Sequence, residues 1–208
     1  MSQVERRIVN NTLELRGKAG EAKTLVGYAA VFNREATITG FFREQIAPGA
    51  FDAAIREDDV RALFNHDPNY VLGRTTSGTL TLSQDDDGLR YEADPPDTQW
   101  ARDLMVTVGR GDVNQSSFGF QVVREEWTNP ENRAELPLRT ILEARLFDVS
   151  PVTYPAYEET SAEARSHAEA LRSAEQTLAK ASADEALAQA AAATLLRQKR
   201  QDIIEGTL

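Results

Sequence analysis

The chain has 208 residues, a formal net charge of -10, two histidines and no cysteine. The lack of cysteine excludes thiol catalysis, disulfides and cysteine-based zinc sites. The acidic balance argues against a nucleic-acid partner, because neutralising phosphates requires a basic face. No run approaches the roughly 18 apolar residues of a membrane span, and the first residues, MSQVERRIVNN, lack the apolar core of a secretory signal. We therefore expect a cytoplasmic protein that binds neither nucleic acid nor membrane.

The composition of the chain changes near Glu158. All proline, tryptophan, tyrosine and phenylalanine residues lie in 1–157, whereas 158–208 is rich in alanine and in charged and leucine residues. The second segment consists of strong helix formers and has no aromatic residue with which to build a core. We predict a folded domain at 1–157 and an Ala-rich tail at 158–208 that forms one long helix or a helical hairpin. His167 lies in this tail and is interpreted as a solvated helix-surface residue.

The alternation of apolar and polar residues predicts a mainly β domain. Helical spacing interrupts it at residues 49–57 and 97–110. For the second helix, Asp97 or Thr98 is a candidate cap, and Gly109 and Gly111 favour its end. Short strands at intervals of about 8 to 12 residues favour a small β-barrel or packed sheets with flanking helices over a parallel βαβ fold. The predicted strands are, in chain order, RRIVNNTLELR, LVGYAAVF, VRALFNH, TLTLS, GLRYEA, SSFGFQVVREEW and RTILEARLFDVS.

The sequence QDDDG is typical of a hairpin turn between the strands TLTLS and GLRYEA. Its three carboxylates belong to Asp85, Asp86 and Asp87. Three consecutive side chains in a hairpin cannot all converge on one ion, so we interpret them as a solvated turn and not as a metal site.

The segment VRALFNHDPNYVLGR contains His66, the only histidine of the predicted domain. Its alternating apolar residues predict a strand that runs into a polar end, which Pro68 stops. One interpretation is a turn histidine held by local hydrogen bonds. The other is a general base, because a histidine at a strand end is within reach of solvent and substrate.

Two adjacent serines lead into an aromatic strand in NQSSFGFQVV. Successive side chains of a strand point to opposite faces, so Ser116 shares a face with the phenylalanines and Ser117 lies on the other. Gly119, on the same face as Ser117, often signals the close approach of another backbone or a ligand. Polar residues at an ordinary strand edge are one explanation. If Ser117 is instead a nucleophile that an imidazole activates, His66 is the only imidazole available in the domain.

The segment ILEARLFDVSPVTYPAY supplies candidates for a third group that orients the imidazole. Leu146 and the apolar residues before it share one face of the predicted strand, and Asp148 continues that face. An inward-facing acid at a strand end is costly without a partner, and an imidazole would supply one. Glu143 and Arg145 lie on the opposite face of the predicted strand. A solvated ion pair between them is the simpler interpretation of Glu143. We therefore favour Asp148 and keep Glu143 as the alternative.

Five motifs follow one another in a specific order: GYAAVFN, IAPGAF before a helix, FNHDPNYVLGR, a helix leading to SSFGF, and LFDVSPVTYPAY. Together they resemble the prohead proteases of tailed bacteriophages over roughly residues 24–157. The resemblance implies a serine endopeptidase whose fold is similar to that of the herpesvirus assemblins, a β-barrel surrounded by helices. It also implies processing of scaffold and of the major capsid protein precursor, in the host bacterial cytoplasm and inside the immature procapsid.

On the pattern of that family, His66 corresponds to the catalytic histidine and Ser117, the serine directly before FGF, to the nucleophile. Asp148, the acid before Val-Ser in the closing motif, corresponds to the third group. Herpesvirus enzymes use a second histidine in that place, and this domain has none to offer. Such a mechanism requires no metal and no cofactor.

Given this resemblance, the change of composition and the lack of a core suggest a role for the tail at 158–208: it would dock on scaffold or on the scaffold-like part of the capsid precursor, carry the enzyme into the shell and be trimmed by the enzyme itself. The alternative is a dispensable solvated appendage. A second copy of the chain is a further candidate partner. Two alternatives come from other classes of protein. One is a noncatalytic capsid-assembly or scaffold module with a protease-like fold, and the other is a cytoplasmic hydrolase that uses the same two residues on small esters.

Overall fold

The computed structural model describes residues 4–154, except 11–12, 18–22, 39, 131 and 133–134, together with Lys180. All strands and helices below belong to the first of two units of the chain, Met1–His167. The predicted boundary at 157 and the predicted Ala-rich tail lie outside the described residues. The elements are, in chain order, β1 (Glu5–Asn10), β2 (Glu14–Arg16), β3 (Thr24–Val31), β4 (Ala36–Ile38), β5 (Phe42–Ile46), α1 (Asp52–Glu57), β6 (Arg61–Phe64), β7 (Asp67–Arg74), a 3-10 turn (Thr75–Ser77), β8 (Leu80–Gln84), β9 (Gly88–Ala93), α2 (Gln99–Arg110), β10 (Gln115–Thr128) and β11 (Leu138–Val152).

Within this described part, the strands form one sheet of seven strands and one of four. The larger sheet has the order β1-β10-β11-β5-β4, and β6 pairs with both β11 and β7. The smaller sheet has the order β2-β3-β9-β8. The domain is thus mainly β with few helices, as the alternating pattern predicts. Neither strand order closes on itself, so the expected small β-barrel is not confirmed.

Both predicted helices are present, and the ends of the longer one follow from its sequence. α2 begins after Thr98, whose extended backbone makes it the N-cap, although its side chain forms no capping hydrogen bond. Gly111 ends the helix in the left-handed conformation with φ 83°, which costs a glycine little because it has no Cβ. The shorter helix is α1, and it occupies the end of the segment predicted at 49–57.

Three strands were absent from the predicted set: β4, β5 and β7. The QDDDG turn does connect β8 to β9, which pair in the register Gln84↔Leu89. In this turn the Asp85 carboxylate accepts hydrogen bonds from the backbone N–H groups of Asp87 and Gly88 at 2.9 and 3.0 Å. It also accepts one from the Tyr28 hydroxyl at 2.6 Å. Asp85 therefore stabilises the turn through local hydrogen bonds.

The core contains the inner faces of both sheets. Alternate residues of β10, Phe118 and Phe120, are buried and stack at 4.7 Å between ring centroids. The Phe51 ring, next to α1, meets Phe118 edge-on at 5.8 Å. The largest fully buried side chains are Tyr91, Phe42, Phe51, Phe118, Phe120, Leu25, Leu72, Leu89, Ile141, Leu146, Val60 and Val149. This packing fixes the position of β10 and of β11, the two strands that carry the candidate site.

A buried ion cluster joins β1 to the middle of the larger sheet. Arg139 is 3% exposed and donates to Glu5 and Glu44 at 3.0 Å each, and to Glu125 at 2.7 Å. Arg7 donates to Glu44 at 2.6 Å and to Glu5 at 2.7 Å. Buried charges are tolerated only when they are paired and hydrogen-bonded in this way. The cluster therefore holds β1 along the edge of β10.

Candidate active site

His66 lies in a two-residue turn between β6 and β7. The strands pair up to Phe64↔Asp67, which leaves Asn65 and His66 as the turn residues. Their φ angles are 52° and 57°, and a tight hairpin of this kind needs positive φ at both positions. Asparagine and histidine are among the residues that tolerate this conformation best. The strand is therefore ended by these two residues, and Pro68, which we expected to end it, lies inside β7.

Asn65 ties this turn to the end of β11. Its backbone N–H donates to the carbonyl of Pro151 at 3.0 Å. Its side-chain oxygen accepts hydrogen bonds from the backbone N–H of Thr153 at 3.0 Å and from the Thr153 hydroxyl at 3.3 Å. The position of the His66 ring is consequently set by β11 as well as by the hairpin.

The two adjacent serines point to opposite faces of β10, as the strand pattern predicts. The Ser116 hydroxyl forms a hydrogen bond of 2.9 Å with the Tyr91 hydroxyl inside the core. Burial raises the pKa of Tyr91, so its hydroxyl stays neutral. Ser117 faces the other way, toward His66, and both serines are fully buried. The face of Ser117 is therefore a second packed surface and not the wet side of an edge strand.

A β-bulge decides where Asp148 points. Gly119 pairs with Asp148 and Phe120 pairs with Leu146, so Phe147 is an extra residue in β11. The extra residue reverses the alternation: Leu146 and Val149 face the core, and Asp148 faces the side of Ser117. The expectation that Asp148 continues the apolar face of Leu146 is wrong, because it assumed an unbroken strand.

The structure brings His66, Ser117 and Asp148 together. The His66 Nε2 atom lies 2.6 Å from Ser117 Oγ, and its Nδ1 atom lies 2.5 Å from Asp148 Oδ2. The imidazole thus stands between a hydroxyl and a carboxylate, with one ring nitrogen toward each. With a proton on Nδ1, the ring donates to the carboxylate, and Nε2 is left to accept from the hydroxyl. In this tautomer the ring is able to take a proton from Ser117.

Ser150 holds the carboxylate of Asp148, and Gly119 leaves room for it. The Ser150 hydroxyl donates to Asp148 Oδ2 at 2.8 Å, and Ser150 is fully buried. On the neighbouring strand, a Cβ at Gly119 would lie 2.5 Å from Asp148 Oδ1. The glycine at 119 was expected to allow the close approach of a backbone or a ligand, and the group that approaches it is the Asp148 carboxylate. Asp148 as a whole residue is 8% exposed. The hydrogen bond from Ser150 offsets part of the free-energy cost of burying its carboxylate.

Glu143, the alternative third group, has a different environment. Its carboxylate lies 3.6 Å from the Arg124 guanidinium, and the Arg124 and Glu143 side chains are 64% and 39% exposed. Arg145, the partner expected from sequence, instead donates to Asp58 at 2.6 Å. Among the described residues, no group of three or more His, Cys, Asp or Glu side chains is placed to hold a metal ion.

The strand that carries Ser117 is paired on both sides. Ser117 lies opposite Ile8 of β1 on one side and opposite Ser150 of β11 on the other. A substrate peptide therefore cannot add to β10 as a neighbouring strand at this point. Because Ser117 is also fully buried, a carbonyl group reaches its hydroxyl only after local movement of the residues that cover it.

A hydroxyl, an imidazole and a carboxylate joined in this order form the arrangement by which serine hydrolases are recognised. The chain belongs to the caudovirus prohead serine protease family, whose model matches residues 11–180. That membership makes it a protease and supports a role in capsid maturation. No described helix is long and apolar enough to span a membrane.

Comparison with solved structures gives the capsid assembly protease gp21 of bacteriophage T4. The two chains share 12% sequence identity with a TM-score of 0.48, over 74% of this chain and 98% of that chain. The search of curated proteins gave no match.

Proposed function

We propose that the chain is a serine endopeptidase that cleaves the major capsid protein precursor, scaffold protein or both during prohead maturation. The observation that carries the proposal is the hydrogen-bond chain from Ser117 through His66 to Asp148, with lengths of 2.6 and 2.5 Å. It occurs in a member of a prohead protease family. Nucleophile, base and orienting acid have the mutual geometry that acyl transfer needs.

In this mechanism, His66 accepts the proton of Ser117 at Nε2 while Ser117 Oγ attacks the carbonyl carbon of a peptide bond. The imidazolium then gives that proton to the leaving amine, and a serine ester remains. A water molecule then attacks the ester while His66 Nε2 takes a proton from it. The imidazolium returns this proton to Ser117 Oγ as the acid product leaves. Asp148 accepts the Nδ1 hydrogen bond throughout, which keeps the reactive tautomer and stabilises the charged ring.

The proposed substrates place the enzyme inside the immature procapsid in the host cytoplasm. The segment 158–208 is proposed to dock on scaffold and to be removed by the enzyme, and the family match, which ends at residue 180, includes part of it. Packaging of a chain that ends at Tyr157 tests this part: unchanged entry into procapsids would contradict a docking role.

The function is tested by expressing the chain together with the capsid precursor and scaffold of its own gene cluster, and measuring intact masses. The wild type shortens at least one partner, and Ser117→Ala leaves both whole. Ser116→Ala is the matched control, because it removes the neighbouring hydroxyl from the opposite face of the same strand. Partners of unchanged mass in every sample would favour a noncatalytic assembly module. Ester hydrolysis without peptide cleavage would favour a small-ester hydrolase.

A further inference from the structure

A pocket of about 470 Å³ is lined by residues adjacent in sequence to segments of the candidate site, and Ser117, His66 and Asp148 are not part of its lining. Its volume is in the range of pockets that bind small ligands or single side chains. Three aromatic rings, two other apolar residues, two threonines and two acids form its wall. The rings are those of Phe64, Tyr70 and Trp100, and the acids are Asp103 and Asp112.

The segments that build the candidate site also supply this wall. Phe64 directly precedes the turn that holds His66. Val113 lies just before β10, and Thr153 lies just after β11 and donates to Asn65. The pocket therefore lies at the end of the sheet where Ser117, His66 and Asp148 meet.

The wall is suited to a bulky apolar side chain. The Tyr70 ring packs edge-on against Trp100 with centroids 5.2 Å apart, and against Phe64 at 6.5 Å. Such edges and faces are favourable partners for another ring or for a branched aliphatic side chain. Tyr70 is 40% exposed, so an occupant would cover apolar surface that water now contacts, which favours binding.

The pocket is unsuited to an acidic side chain. Asp103 lies on its wall and has no ion-pair partner within the described part of the chain, whereas Asp112 is paired with Arg110 at 3.0 Å. A carboxylate entering the pocket would lose hydration next to the Asp103 charge, and both effects oppose binding. The charge of Asp103 thus separates acidic from apolar side chains of similar size.

We propose that this pocket binds a bulky apolar side chain of the substrate peptide, at one fixed position relative to the scissile bond, and rejects an acidic one. The inference rests on the proposed endopeptidase function. It follows from the location of the pocket, and from the pairing of β10 on both sides at Ser117. Since that pairing prevents a peptide from adding as a strand to β10 itself, side-chain contacts contribute to its position.

Three substitutions in α2 test the pocket: one fills it, one is the matched control and one removes a charge from its wall. Thr107→Phe places a ring in the pocket, since Thr107 lines it. Val106→Phe is the matched control, because Val106 is the adjacent β-branched residue of α2, is 60% exposed and lies outside the pocket. Asp103→Asn, at an exposed position, removes the charge without adding bulk and needs no repacking of the core.

The assay digests a mixture of synthetic peptides of varied sequence and identifies the cleavage sites by mass spectrometry, with Ser117→Ala as the blank. The wild type and Val106→Phe show enrichment of bulky apolar residues, and depletion of Glu and Asp, at one position. Thr107→Phe lowers the apolar preference by at least about tenfold, the scale of hydrophobic-pocket discrimination. Asp103→Asn weakens the depletion of acidic residues there.

The outcomes separate the pocket from the function on which it depends. Ser117-dependent cleavage with no apolar preference at any position overturns the inference and leaves the proposed function intact. An apolar preference that Thr107→Phe and Val106→Phe affect equally also overturns it. Absence of any Ser117-dependent cleavage overturns the proposed function, and the inference with it. Thermal unfolding of each variant identifies one that fails to fold, and Asp103→Asn then decides the question.

Discussion

Gly119 provides the space in which the carboxylate of Asp148 lies. The two residues face each other across β10 and β11, and a Cβ at Gly119 would lie 2.5 Å from Asp148 Oδ1. Real Cβ atoms do not come this close to an oxygen. The glycine in the SSFGF segment therefore contributes to the site through the room it leaves for the acid that orients His66.

Gly119→Ala is expected to displace the Asp148 carboxylate and, through it, the imidazole. Misplacement of about 1 Å in a catalytic group costs on the order of 100-fold in rate, whereas overpacking at one position costs about 1 to 3 kcal/mol of stability. We expect kcat to fall by about that factor in a variant that still folds. Gly109→Ala is the control, because its nearest atom is a flexible side-chain carbon of Leu15 at 3.4 Å. Equal activity of the two variants would contradict the steric account.

Asp148→Asn is expected to lower kcat by about 10⁴-fold, the scale found when the orienting acid of a triad becomes an amide. An amide in this place can favour the tautomer in which Nε2 carries the proton, and such a ring cannot accept one from Ser117. Glu143→Gln should have almost no effect, because that carboxylate lies beside Arg124, whereas the partner of His66 Nδ1 is Asp148. Cleavage rates of the two variants decide between the acids; a large loss in Glu143→Gln alone would reverse the assignment.

Asn65 has two separable roles, a positive φ of 52° and the hydrogen bonds with Thr153. Asn65→Gly keeps the turn and removes the side-chain acceptor, so kcat should fall about 10- to 100-fold while KM stays close to the wild-type value. Asn65→Asp keeps an acceptor and tolerates the same φ, so it should restore most of the activity. If both variants match the wild type in kcat, the hydrogen bonds to β11 do not position His66.

The ion cluster predicts a defined loss of stability in acid. Burial alone would raise the pKa of Glu5, but the charges and hydrogen bonds of Arg7 and Arg139 outweigh it, so the pKa lies below the ordinary value of 4.5. A carboxylate with a lowered native pKa contributes stability above its unfolded pKa and loses that contribution as the pH falls toward the native value. The free energy of unfolding should therefore decrease as the pH falls below about 5.

Glu5→Gln tests this assignment. It should cost about 3 to 5 kcal/mol at neutral pH, the scale for removing one member of a buried pair, and should flatten part of the acid slope. Glu126→Gln is the control, because Glu126 is an exposed residue of β10. Denaturant unfolding between pH 3 and 7 measures both effects; identical slopes for the wild type and Glu5→Gln would exclude Glu5 as the titrating group.

Much of the architecture follows from local patterns. The alternation in SSFGF correctly separates the faces of Ser116 and Ser117, because it depends only on the extended backbone. Both helices were predicted from apolar spacing; of the two glycines expected to end α2, Gly111 does so, whereas Gly109 lies inside the helix. The acid Asp148 was selected for its need of a partner, and the structure does place it beside His66.

The remaining features depend on pairing between distant segments. The bulge at Phe147 reverses the face of Asp148, and it appears only when β11 is aligned with β10. β5 was missed because the middle residue of its buried face is the charged Glu44, which belongs to the buried ion cluster and interrupts the apolar pattern of Phe42 and Ile46. Ser150 could have been found as a polar residue two positions after Asp148, on the same face of a strand.

The central claim is that Ser117 and His66 act as one unit, and the most direct measurement is the rate of capsid-precursor cleavage by Ser117→Ala, His66→Ala and the double variant. Groups that act as a unit are strongly non-additive. We predict that each single substitution lowers the rate by about 10⁴- to 10⁶-fold and that the double variant is no slower than either. A single variant with near wild-type cleavage, or a double variant whose losses multiply, would contradict the account.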